Sequence, residues 1–333
     1  MSGEGEEEAV NSYGDGIAWI RASMIGRGSF GRVYLATLRN PTSKSSSLPP
    51  LMAVKSAEVS SSGSLQKEKE VYCNLERSPY IIQCYGDEIT IGRSGTMAFN
   101  LMLEYASGGT LADRIGESGG NGLAELEVKL HTRSILRGLR HIHELGYVHC
   151  DMKPHNILLV PNAAGGIRAK IGDLGLARRV TKKRKLGVCW EGTRMYLSPE
   201  AVTDHVQEAP SDVWAVGCIV LEMLTGKSPL EGKKEITGLK IPNGVSKEAR
   251  AFLKGCFVRN SKFRLTCEML LHHPFLEGLD DDDVEVDESV ACALDQIESL
   301  ALVYGSDDDE FSSGSFADER SHGSESDVSD SAE

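Results

Sequence analysis

The chain has 333 residues, 40% apolar and 26% charged, enough to bury one large core or two lobes. Its net charge of −13 is unevenly placed: residues 1–16 hold five acids and no base, 17–278 hold 35 bases against 25 acids, and 279–333 hold 19 acids against Arg320 alone. The longest apolar stretch, Val213 to Leu221, is closed by Glu222 after nine residues, too few for a membrane span, and the acidic start lacks the features of a secretory leader.

A protein of the cytoplasm, the nucleus or both is therefore expected, without membrane contact. The basic residues of the body are not interleaved with aromatics, so nucleic acid is not an expected partner. None of the eight cysteines forms a CxxC pair, which removes support for structural zinc and leaves them as reduced packing residues. Cys189 stands apart because its basic surroundings suit a thiolate.

In chain order, residues 1–16 read as an acidic, disordered N-terminus and 17–278 as a folded unit. Apolar or alternating runs bounded by Gly, Pro and Ser predict strands over 17–25, 31–38, 51–56, 81–89 and 97–104. One helix interrupts them at 64–76, with Ser64 as its expected cap, and Arg39 to Pro50 reads as a polar loop. After Glu104 the pattern turns helical: Leu111–Ile115, then Ala124–Leu145 with an apolar stripe of Ile135, Leu136, Leu139 and Ile142, then 211–225, 246–258 and 264–272. The expected fold is α+β in two lobes: a small antiparallel β lobe with one helix (17–104) and a larger, mainly helical lobe (107–278). In the acidic tail, 279–333, Val286, Val290, Leu294, Ile297 and Leu300 predict an amphipathic helix over 284–303, docking on the body or on a partner, before a disordered end.

Four motifs carry chemistry. Gly26, Gly28 and Gly31 followed by Val33 form a G-x-G-x-x-G-x-V loop, in which glycine lets backbone approach phosphates closely. A strand rather than a helix follows it, which separates it from a dinucleotide fingerprint. Ala53-Val54-Lys55 places a cation on the next strand, and Glu68, Glu70 and Glu76 are the carboxylates available to hold it. His149-Cys150-Asp151-Met152-Lys153-Pro154-His155-Asn156 sets an aspartate five residues before an asparagine, with Lys153 between them. Asp173-Leu174-Gly175 follows, and Ser198-Pro199-Glu200 closes the segment.

Together these residues resemble the eukaryotic protein kinase family over about 17–278. The resemblance implies ATP and Mg2+ as cofactors. Ile25, Gly26, Gly28, Gly31, Val33 and Ala53 would wrap the nucleotide, and Lys55 would hold its phosphates. A leucine seven residues after the family's glutamate, here Leu75, selects Glu68 as the partner of Lys55. Asp151 would orient the substrate hydroxyl, Lys153 would stabilise transferring charge, and Asn156 and Asp173 would bind magnesium. Leu103 falls at the gatekeeper position, with Glu104 to Ala106 as the hinge that hydrogen-bonds adenine. Gly192-Thr193 and Tyr196 before Pro199-Glu200 are similar to the serine/threonine branch, with Thr193 near Asp151 and Lys153. Asp212 would brace the catalytic loop, and Arg264 would pair with Glu200.

LPPLMAVKS, LEYASGGTLADRI and TRSILRGLRHIHELGYVHCDMKPHNILL resemble plant MEKK-type mitogen-activated protein kinase kinase kinases. That subgroup implies MAP kinase kinase substrates and stress or hormone signalling. The alternatives are a serine/threonine kinase outside that cascade and a weakly active pseudokinase or scaffold. Two residues depart from the family pattern: Cys150 stands where arginine is usual, and Leu174 where phenylalanine is. The first removes the customary partner of a loop phosphate, so activity is expected not to depend strongly on loop phosphorylation, for which Thr181, Thr193 and Ser198 are the hydroxyls available. The basic run at 182–185 reads as a solvated loop or as a site of attraction for the acidic tail or an acidic partner.

Overall fold

The computed structural model describes residues 12–28, 31–40, 48–162, 166–180, 192–229 and 239–279. All belong to the first of two compact units, Met1–Val286. Thr181, Cys189, the basic run at 182–185 and the tail helix expected at 284–303 lie outside the described residues.

Five strands, β1 (Trp19–Gly28), β2 (Gly31–Leu38), β3 (Leu51–Glu58), β4 (Cys84–Ile91) and β5 (Met97–Leu103), form an antiparallel sheet in the order β1-β2-β3-β5-β4. β3 is buried on both faces, in keeping with its apolar start at Leu51–Val54. On one face Ala53, Ala57, Phe99, Leu101 and Leu103 pack with Leu65 of helix α1 (Gly63–Asn74). On the other, Met52 and Val54 pack with Trp19, Ala36 and Met102.

That second face corrects the expected boundary, because residues 12–16 are not outside the folded unit. Tyr13 is buried, its carbonyl accepts a 2.6 Å bond from Thr90, and Glu88 accepts from the Ile17 N–H and from Trp19 Nε1. Arg21 lies among the rings of Tyr13, Trp19 and Tyr34 and donates to Gly14 O, Ser56 and Asn100. Two local expectations also move. Ser64 does not cap α1: the helix starts one residue earlier, out of a tight turn at Val59–Ser61, and the N-cap position is Ser62 without a side-chain cap bond. The strand expected from residue 81 starts at Cys84, because the Tyr80 carbonyl and the Ile82 N–H on either side of Ile81 instead bond the backbone of Ile171 in the other lobe.

The second lobe is built on α3 (Glu125–Glu144), which follows the short α2 (Leu111–Glu117). Ile135, Leu136, Leu139 and Ile142 are fully buried along one stripe, each contributing about 1.5–3 kcal/mol. Two short strand pairings follow, from β6 (Tyr147–Val148), β7 (Ile157–Pro161), β8 (Ile167–Ile171) and β9 (Arg178–Arg179), with β6 paired to β9 and β7 to β8. Helix α4 (Pro199–Thr203) is capped by Ser198. Helix α5 (Ala209–Thr225) is apolar almost all round and correspondingly buried, ending at Gly226 with φ 67°. α6 (Lys247–Cys256) and α7 (Cys267–Leu271) complete the lobe. No helix among the described residues is long and apolar enough to cross a membrane.

Candidate active site

The β1–β2 hairpin closes at Gly28 opposite Gly31. Gly31 has φ 150°, and a Cβ there would meet the Ser56 carbonyl at 2.5 Å, so this position requires glycine. Ile25 is exposed on β1, Val33 faces Gly26 across the hairpin, and Ala53 is buried beneath them on β3.

Pairing of β3 with both neighbours fixes Lys55, whose Nζ donates to Glu68 Oε2 at 2.7 Å and to Asp173 Oδ1 at 2.9 Å. Glu68 is fully buried on α1, whereas Glu70 points to solvent. Burial alone would lower the Lys55 pKa, but the two carboxylates override it and hold the ammonium charged above its ordinary value. Burial likewise pushes the Asp173 carboxyl up, and the Lys55 charge reverses that, leaving it below the usual carboxylate range. Asp173 sits in the left-handed region, φ 52°, where non-glycine residues are strained. α1 packs against the turn Leu174–Leu176 that follows, and buried Leu174 fills the place of the larger ring.

The second cluster surrounds Asp151. Thr193 donates to Oδ1 through both its N–H and its hydroxyl, each at 2.9 Å. Oδ2 accepts from Lys153 at 2.7 Å and from Asn156 Nδ2 at 3.2 Å. Lys153 also donates to the Thr193 hydroxyl at 2.9 Å, so three of the predicted residues converge on the carboxylate of the fourth, Asp151. Asn156 Nδ2 further donates to the Asp151 carbonyl, which leaves its carboxamide oxygen as a hard acceptor.

Asp212, at the start of α5, accepts from the backbone N–H groups of His149 at 2.8 Å and Cys150 at 3.0 Å. These bonds hold Cys150 at φ 67°, the strained step just before Asp151. Arg264 forms a two-pronged bond with Glu200 at 2.6 and 2.9 Å. Leu103 is buried at the end of β5, and the Glu104 N–H donates to Gln83 O. Among the described residues, the Glu104 carbonyl and the Ala106 N–H take no backbone partner, leaving one acceptor and one donor along the hinge.

Sequence reasoning missed three contributors. His143 donates from Nε2 to Asp212 at 2.9 Å; burial opposes its charge, but that bond and Cys267 raise its pKa to about 10. His149 accepts the Asp151 N–H at Nδ1, which places its own proton on Nε2 against the Gly172 carbonyl and so ties the catalytic loop to the strand leading to Asp173. Lys170 pairs with Glu104. Spacing on α3 placed His143 on a helix, but nothing local pointed to Asp212. Of the hydroxyls considered for loop phosphorylation, Ser198 is buried as a helix cap and Thr193 is bonded to Asp151.

Residues 19–276 match the protein kinase domain family. Mitogen-activated protein kinase kinase kinase 20 of Arabidopsis thaliana is 43% identical over 287 residues, covering 81% of each chain. Number 17 of the same plant is 36% identical, covering 78% of this chain and 70% of its own. The human mitogen-activated protein kinase kinase kinase 3 is 31% identical over 77% of this chain and 42% of its own.

Proposed function

The chain belongs to the protein kinase family, and from that premise we propose that it is a serine/threonine kinase acting as a mitogen-activated protein kinase kinase kinase on the activation loop of a MAP kinase kinase. The observation carrying the chemistry is the pair of clusters, one on Lys55 and one on Asp151, linked through His149. The substrate tier is supported by similarity to relatives that bear this name over most of their length.

The donor set suits a nucleotide with magnesium. Asp173, with its side chain 35% exposed, and the free oxygen of Asn156 are hard oxygen ligands on the two sides of the cleft. ATP bound with magnesium supplies the γ-phosphoryl group and neutralises its charge.

Lys55, fixed by Glu68, holds the phosphates, and the hinge backbone at Glu104 and Ala106 takes the adenine edge. Asp151 orients the acceptor hydroxyl and receives its proton at a carboxylate oxygen. Lys153 neutralises charge on the group in flight, while Thr193 keeps the carboxylate from rotating. Catalysis is therefore positioning plus electrostatics. The Lys55→Met and Asp151→Asn proteins, assayed with wild type on a generic acceptor and on catalytically dead MAP kinase kinases, should each lose about 100-fold or more in kcat. Retained turnover in both variants refutes the assignment; transfer to the generic acceptor alone refutes the tier.

A further inference from the structure

Glu104 contributes more than backbone to the hinge. Lys170 Nζ lies 2.7 and 2.9 Å from its two carboxylate oxygens, and the Gln83 N–H donates to one of them at 3.1 Å. The Glu104 N–H returns a 2.8 Å bond to the Gln83 carbonyl. The charged side chains are only 17% and 14% exposed, so solvent screens them far less than an ordinary surface pair.

Lys170 lies on β8, three residues before Asp173. The same strand is held to the first lobe by the Ile82 N–H bond to Ile171 O and the Ile171 N–H bond to Tyr80 O, each 2.9 Å. Gly172 N–H donates to the Asn156 backbone carbonyl at 2.8 Å, which ties the residue after β8 to the main chain of the other metal-binding residue. One carboxylate thus joins the segment before β4, the hinge and the strand that carries Asp173.

We propose that the Glu104–Lys170 pair is a positioning brace that sets the spacing between the hinge and Asp173, and thereby nucleotide affinity. This inference rests on the kinase reading given above. A nucleotide held at its adenine by residues 104–106 and at its phosphates by Lys55 and Asp173 spans two separately hinged lobes. If that span is fixed beforehand, binding need not order it, and affinity rises without new contacts. Neither side chain touches the Asp151 cluster, so the chemical step should be indifferent to the pair.

The test uses the full chain, with Glu104→Gln, Lys170→Met and the charge-conserving Lys170→Arg. Steady-state kinetics at saturating acceptor give KM for ATP and kcat, titration of a fluorescent ADP gives its Kd, and thermal unfolding reports structural damage. Lys170→Met should raise KM for ATP and Kd for ADP about fivefold with kcat within about twofold, Glu104→Gln should weaken nucleotide binding at least as much, and Lys170→Arg should stay near wild type. Single variants that lose thermal stability or kcat while binding nucleotide unchanged overturn the brace. A rise in kcat with KM unchanged also overturns it, since the pair would then restrain lobe opening. A wild-type protein that transfers no phosphoryl group overturns the kinase reading and the brace with it, so the two failures are distinct.

Discussion

Asp212→Asn isolates how the catalytic loop is held. The side chain is 2% exposed; Oδ1 accepts the Cys150 N–H, and Oδ2 accepts the His149 N–H and His143 Nε2. Asparagine keeps the shape but presents an NH2 where one oxygen stood. With the NH2 in the Oδ2 position two bonds are lost; in the Oδ1 position only the Cys150 bond is, so the second orientation wins. Losing one charge-assisted bond at about 2 kcal/mol, and weakening two others by about 1 kcal/mol each, totals roughly 4 kcal/mol. For a chain of this size that corresponds to a fall in Tm of roughly 6–7 °C. The freed Cys150 N–H also removes the restraint on a left-handed residue adjoining Asp151, so kcat should fall by about 10- to 100-fold. KM for ATP should move little, because Asp212 contacts neither Lys55 nor the hinge. Thermal unfolding and initial rates on one preparation suffice. An asparagine protein with wild-type Tm and kcat would refute the argument that this carboxylate holds the strained loop.

Two further outcomes follow from the same geometry. Burial depresses the His273 pKa to about 4, so between pH 6.5 and 4 the unfolded chain takes a proton that the folded chain refuses, and stability falls with acid; His143, raised to about 10, keeps its proton when folded, so stability falls as pH rises from 6.5 towards 10. Each limb should approach about 1.4 kcal/mol per pH unit in urea midpoints, and His273→Phe should flatten the acid limb and His143→Gln the alkaline one; an alkaline slope unchanged in His143→Gln contradicts the assignment. Gly192→Ala places a Cβ 2.5 Å from the Cys150 carbonyl and 3.3 Å from Asp151 Oδ1, at φ 108°. Its kcat should drop at least ~10-fold with ATP KM retained, because strain of about 1–3 kcal/mol falls on the Asp151 cluster; an alanine protein of unchanged kcat would show that the close approach is dispensable.

Periodicity made the architecture legible. The stripe on α3, the apolar α5 and the run of short strands all have local signatures, and the structure places elements where they stand. The N-terminal segment was not legible, because residues 1–16 are acidic and glycine-containing, the composition of a chain that buries little. What keeps residues 12–16 on the sheet is remote: Thr90 at 77 positions from Tyr13, and Arg21 bonded to Ser56 and Asn100. Ser64 looked like a cap because a serine before an apolar helix usually is one, and the tight turn at Val59–Ser61 that moves the helix start has no comparable sequence mark.

The three aspartates of the site show where motif reading ends. Asp151, Asp173 and Asp212 have the same ordinary chemistry, and each occurs in a short pattern that fixes its place in the chain. Their tasks come from partners far away in sequence. Asp173 meets Lys55 across 118 positions and is left open enough to reach a metal. Asp151 meets Thr193 across 42 positions and is held as an acceptor by neutral and cationic donors together. Asp212 meets His143 across 69 positions and spends its charge on two backbone amides and a buried imidazolium, with nothing left for a ligand. Exchanging their surroundings, with no change in residue type, would exchange their functions. The kinase chemistry of this chain therefore resides in how a five-stranded sheet and a helical lobe bring three like charges to three unlike neighbours.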